Sequence, residues 1–236
     1  MRHISKGAPP PLLIAHAKDR TRVPNWTNCD AETQRAVRDS LLREQANLCA
    51  YCTRRVTRGH LRVEHWAPQS IHPDLSIAWK NLLGVCSGST IDNARAPVSI
   101  IHCDNSKGNQ TISLSPLRRR DIATVSFELA SGRVVSSKDS FQKDIDVTLN
   151  LNCQPLCRAR QQSARGVVEG MCAVLGEGAW SHAKLSALRS KVCGADREGK
   201  LAEYWGLLAQ ILDRKLAKLK RRSTLPPAVP RRRRRR

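Results

Sequence analysis

The chain has 236 residues and a formal net charge of +21, from 41 Lys and Arg against 20 Asp and Glu. Residues 214–236 carry twelve of the basic residues and no acidic one, which leaves +9 on residues 1–213; a body that is basic without its tail points to a polyanionic partner such as nucleic acid. No apolar run reaches the ~18 residues of a membrane span, the patch Leu12–Ala15 is too short for a signal core, and an odd count of nine cysteines does not make a disulfide framework, so the composition predicts a cytoplasmic protein whose closely spaced cysteines bind metal.

Residues 1–29 are Pro-rich and predict an irregular segment. Asp30 can cap a helix that runs to about Leu48, with Val37, Leu41, Leu42 and Leu48 on or near one face. Residues 49–110 lack a long helical period. Within them Arg62–His65 reads as a short strand, Asp74–Cys86 as a turn of helix leading into a knuckle, and the run from Asp104 as one helical turn broken by Gly108. Ile122–Val135 alternates and turns at Ser131 and Gly132, the pattern of a hairpin. From Leu151 the character is helical: Pro155–Gly176, then Ala179–Cys193 ending at Gly194. A heptad-like stripe follows, made of Leu201, Tyr204, Trp205, Leu208, Leu212, Leu216 and Leu219, which serves either as a core face or as a partner face. The end is Pro-rich and then all arginine, Arg231–Arg236; six like charges repel, so it is expected to be disordered and to add phosphate affinity without sequence preference. The expected division is an irregular segment over 1–29, a mixed module over 30–150, a helical module over 151–222 and a basic tail over 223–236.

Cys49 and Cys52 form a CxxC pair, half of a zinc site. Cys86 and Cys103 supply two more thiolates. Sixteen residues rich in Ser, Gly, Asn and Pro separate them, which reads as a loop inserted into the second half of the knuckle. Four soft ligands form a closed, structural tetrahedron. The alternative is that Cys86 and Cys103 are ordinary buried cysteines; His102 is a spare ligand. Cys153 and Cys157, one helical turn apart without a nearby histidine, read as packing residues.

Phosphodiester cleavage needs a base, a cation and groups that aim the base. His65 suits the base, since its pKa lies near working pH. Glu64 beside it and Asp104, directly after a zinc cysteine, offer two hard oxygen ligands for Mg²⁺ or Mn²⁺. Asn81 can bond a backbone carbonyl or the imidazole and so hold the base. Lys107, one turn after Asp104, can meet a phosphate. A metal-stabilised binding knuckle would need no such grouping; an inactive zinc-stabilised nucleic-acid-binding or adaptor protein is the alternative.

The segments CAYC, VEHWAPQS, NLLGVC and HCDNSKG resemble the HNH, or ββα-metal, endonuclease motif. His65 matches its first histidine, the general base, Pro68 the following proline, and Asn81 the central asparagine. Asp104 stands where the family usually has His or Asn, and the long Cys86–Cys103 insertion replaces the usual CxxC. With the N-terminal MRHISKG and the later LNLNCQPLCRAR, the chain is most similar to the HNH subunit of Septu-type anti-phage systems, including retron-linked ones, over most of residues 1–165. The resemblance implies an α+β fold: a zinc-stabilised ββα-metal nuclease core within residues 30–150, an N-terminal helix and a C-terminal helical module. It also implies a partner ATPase of the ABC/SMC kind and a defence role, with DNA the favoured substrate and tRNA or other RNA the second.

Overall fold

The computed structural model describes residues 1–19, 21, 23–89, 97–175 and 180–224. Residues 90–96 of the knuckle insertion and 225–236 of the tail, Arg231–Arg236 included, lie outside the described residues. The fold is α+β.

The N-terminal segment departs from the irregular stretch expected over 1–29. Helix α1, Pro11–Lys18, has proline at its first position, where the fixed φ suits a helix and no N–H is lost. It packs on helix α2, Ala31–Glu44. The stretch before α1 is tied down by α2: Arg2 donates to the Glu44 carbonyl, and the Gly7 N–H donates to the Glu44 carboxylate. Lys6 reaches Glu44 Oε2 at 3.1 Å and the Leu82 carbonyl, and lies over the Trp79 ring. Burial lowers the Lys6 pKa to about 8 against the opposing pull of Glu44.

Asp30 caps α2 as its position suggests, accepting from the Thr33 N–H at 2.7 Å. The helix stops at Glu44, short of the expected Leu48. Ala46 and Asn47 take positive φ, and the buried Gln45 side chain turns inward. Its amide donates to the carbonyls of Leu48 and Gly84 and accepts from the Gly84 N–H. It thus satisfies an edge position of strand β2, Leu82–Val85, which pairs antiparallel with strand β1, Arg62–His65. The register places Glu64 opposite Leu83 and His65 opposite Leu82. Between the strands the chain makes two short 3₁₀ turns, Pro73–Leu75 and Trp79–Asn81. Helix α3, Asp104–Lys107, is the expected single turn before Gly108.

Helix α4, Arg119–Ile122, leads into the second hairpin, β3 at Val125–Glu128 and β4 at Arg133–Ser136. Gly132 sits in its turn at φ +71, where an added Cβ would lie 2.3 Å from the Cys157 carbonyl. The glycine is required because the turn rests directly on backbone. Helix α5, Asp139–Lys143, continues as a π-helical turn over Asp144–Thr148. Helices α6, Gln154–Leu175, α7, His182–Cys193, and α8, Trp205–Thr224, complete the chain.

One hydrophobic cluster joins Leu41, Tyr51, Leu82, Leu83 and Val85 to Phe127, Leu149, Leu156, Leu207 and Ile211. The core therefore crosses the boundary expected at residue 150. A second cluster packs Met171, Leu185 and Cys193 against Ala209 and Leu212. The stripe on α8 is thus a core face on both sides, with Leu208 and Leu212 buried. Among the described residues no helix is long and apolar enough to cross a membrane.

Candidate functional site

One turn and two element ends bring four cysteines together. Cys49 and Cys52 lie in the turn after α2, Cys86 follows β2, and Cys103 precedes α3. Their sulfurs all lie within 4.8 Å of one another, and all four residues are buried. Cys49 and Cys103 are 3.8 Å apart and Cys52 and Cys86 3.7 Å. A tetrahedron with Zn–S bonds of about 2.3 Å has sulfur–sulfur edges of roughly 3.8 Å, so the set fits a tetrathiolate ion such as zinc. The surrounding backbone is shaped for it. The Cys49 carbonyl accepts from the Thr53 N–H, Thr53 takes φ +61, and Cys103 takes φ +59. At Gly88, φ +76, an added Cβ would lie 2.4 Å from the His102 carbonyl oxygen. His102 is not one of the four. Its Nδ1 lies 3.2 Å from Cys103 Sγ, and burial lowers its pKa to about 4, so the neutral ring stands beside the ligands. None of the nine cysteines, all among the described residues, is in a disulfide.

The acid–histidine cluster is built on the same frame. Glu64, on β1, is 4 % exposed. Its Oε1 accepts from the Tyr51 hydroxyl at 3.0 Å and meets Lys107 Nζ at 2.7 Å. Burial, with the adjoining Asp104 carboxylate next in effect, pushes its pKa up to about 8 despite Lys107. Tyr51, between the two cysteines of the first pair, is fully buried, and burial raises its pKa as well. Asp104 opens α3 and also faces Arg62 at 3.7 Å.

Lys107 does not stand out toward a phosphate. It is 1 % exposed, and besides Glu64 its ammonium bonds the His65 carbonyl at 3.0 Å. A four-residue helix packed under β1 leaves its last side chain no route to solvent. Lys107 is therefore a buried counter-ion that braces the end of β1.

His65 is held by both ring nitrogens. Nε2 lies 2.8 Å from the Ser76 carbonyl and Nδ1 lies 3.1 Å from the Gln69 amide nitrogen. A carbonyl only accepts, so Nε2 carries the proton and Nδ1 is the basic nitrogen of the neutral ring. Gln69 in turn accepts from the Ser76 hydroxyl at 2.6 Å, which accepts from the Trp26 N–H. Trp26 packs edge-on against the imidazole. Burial lowers the His65 pKa. Asn81 does not touch the imidazole. Its side chain accepts from the Ala67 N–H at 2.7 Å and donates to the carbonyls of Ala67 and Leu75, so it closes the loop that carries Gln69 and Ser76.

The four cysteines, Glu64, His65, Asp104 and Lys107 thus share one small region. Sequence reasoning missed Tyr51, Gln69 and Ser76. Tyr51 is visible inside the CxxC spacing, but its partner Glu64 is a matter of folding; Gln69 and Ser76 lie in a loop with no period to mark them. No protein-family model matches the chain, and no curated protein matches it.

Proposed function

We propose that the chain is a metal-dependent HNH-type endonuclease that hydrolyses nucleic acid phosphodiesters, DNA in preference to RNA. The observation that carries this reading is the hydrogen bonding of His65: Nε2 on the Ser76 carbonyl, which can only accept, and Nδ1 against the Gln69 amide. Burial lowers the His65 pKa and so favours the unprotonated ring that a general base requires. Nδ1 takes the proton of the attacking water once the Gln69 amide moves aside. The Nε2–H bond to Ser76 then steadies the imidazolium, and the nearby Asp104 carboxylate stabilises its charge.

Glu64 and Asp104 would hold the divalent cation, Mg²⁺ or Mn²⁺, which when bound supplies charge stabilisation to the phosphate and the leaving oxygen. Asn81 acts at one remove, as a positioning residue for the His65 loop. A cavity of about 610 Å³ is lined by Trp66, Arg118, Arg120 and Lys138, with Asp121 facing both arginines. Its basic walls suit a phosphate backbone. The partner ATPase of the ABC/SMC kind and the anti-phage role rest on the sequence resemblance.

Two observations favour a second reading, a zinc-stabilised nucleic-acid-binding protein without catalysis. The Lys107 ammonium already occupies Glu64 Oε1 at 2.7 Å, and among the described residues only the four cysteines form a group of three or more metal-ligating side chains. The test is cleavage of plasmid, single-stranded DNA and tRNA with Mg²⁺ or Mn²⁺, with and without the ATPase. Cleavage should appear and fall roughly 10²–10⁴-fold in His65→Ala. Full activity in a folded His65→Ala protein overturns the mechanism, and binding without cleavage under every condition selects the second reading.

A further inference from the structure

Helix α6 carries a charge that the structure otherwise leaves uncompensated. Arg160 is 1 % exposed. One terminal nitrogen donates to the carbonyls of Gly132 and Leu151. Its Nε and its other terminal nitrogen have no hydrogen-bond partner, and among the described residues no carboxylate forms a salt bridge with it. An isolated ion so deeply buried costs several kcal/mol, which is why buried charges are paired. The ring of Tyr204, 5.9 Å away, and the Cys157 thiol beside it are weak partners for a full charge.

The anion it lacks is close by. The Leu151 carbonyl that Arg160 grips lies two residues from Leu149, whose carbonyl accepts from the Cys103 N–H. Tyr204, under the guanidinium, donates its N–H to Thr53, the residue after Cys52. Cys52 and Cys103 are both within electrostatic reach of the guanidinium. Four neutral thiols would offer it nothing. Four thiolates around a divalent ion carry a net charge of −2.

We infer that Arg160 is the buried counter-cation of the four-cysteine metal centre, joining α6 to that centre through charge. This rests on the cysteines holding a metal. The guanidinium then compensates half of the charge of a tetrathiolate, and the half-buried Arg54, also near Cys52, is placed to oppose the rest. A cation beside the thiols lowers their basicity, so they give up their protons to the metal more readily, and it stabilises the dianionic centre; loss of an outer-sphere partner typically weakens binding about 10–100-fold.

The test uses the whole chain, stripped and reloaded with Zn²⁺ or Co²⁺ under reducing conditions, in competition with a chromophoric chelator. Arg160→Gln keeps a donor for the carbonyls without charge; Arg160→Lys keeps the charge. Arg160→Gln should lose about 10–100-fold in metal affinity and Arg160→Lys distinctly less. Equal losses in the two variants, or an unchanged affinity in Arg160→Gln, would show a carbonyl tie and no more, and overturn the inference. Should Arg160→Gln fail to fold, NMR of the wild-type guanidinium decides: cadmium loading should shift the Arg160 Nε–H resonance, and an unmoved resonance overturns it. A wild type that binds no metal, with no thiolate Co²⁺ spectrum, removes the metal centre itself; a wild type that binds metal while the variants match it removes only the role of Arg160.

Discussion

Glu64 is the residue whose surroundings conflict most. Tyr51 and Lys107 favour its charged form, while burial and the Asp104 carboxylate oppose it, and the opposition prevails. The folded-state pKa of about 8 lies above the ordinary 4.5, so the native protein holds this proton more tightly than the unfolded chain. Its contribution to stability is full below about pH 4.5 and is lost as pH rises through about 8. In metal-free protein with respect to the hard-cation site, urea midpoints should therefore fall across this window more steeply in the wild type than in Glu64→Gln. Parallel profiles would show that Glu64 is ionised throughout. A divalent cation held by Glu64 and Asp104 favours both carboxylates, and should flatten the wild-type slope.

Among the elements, the loop between β1 and β2 bears most on the proposed chemistry. It holds the imidazole through Ser76 and Gln69, and Asn81 closes it with three hydrogen bonds to Ala67 and Leu75, the two to Ala67 buried. Asn81→Ala strips these partners from backbone groups that water does not reach freely. It should cost roughly 1–3 kcal/mol per buried group left unsatisfied, seen in chemical denaturation, and lower cleavage through a misplaced His65. Asn81→Asp keeps the acceptor for Ala67 N–H and should recover part of the stability. Wild-type stability in Asn81→Ala would mean that the 3₁₀ turns hold the loop without it.

At the scale of the molecule, α8 joins the two clusters. Leu207 and Ile211 enter the larger one, and Ala209 and Leu212 the smaller. A charge at Leu212, which is fully buried, has no partner in an apolar cluster. Leu212→Asp should therefore unfold at least the α7–α8 pair, detected as lost helical circular dichroism and a lower melting temperature. Leu219→Asp, at a partly buried position, should be much milder. A folded Leu212→Asp protein that had lost only a partner would show that the stripe is a docking face after all.

Sequence alone determined the features that rest on local rules. The Asp30 cap, the Arg62–His65 strand, the single turn from Asp104 and the hairpin turn at Ser131–Gly132 each follow from side-chain chemistry or backbone freedom within a few residues. The CxxC pair and the acid–histidine neighbours were legible for the same reason. Tertiary structure decided whatever depends on who meets whom across the chain. Only folding turned Lys107 inward onto Glu64, set Tyr51 against the same carboxylate, and aimed the Asn81 amide at Ala67 and Leu75 rather than at the imidazole. It docked the Pro-rich N-terminus on α2 and set Arg160 near the cysteines. A buried charge or amide answers to partners dozens of residues away, brought there by a shared apolar core; no periodicity in the chain records them.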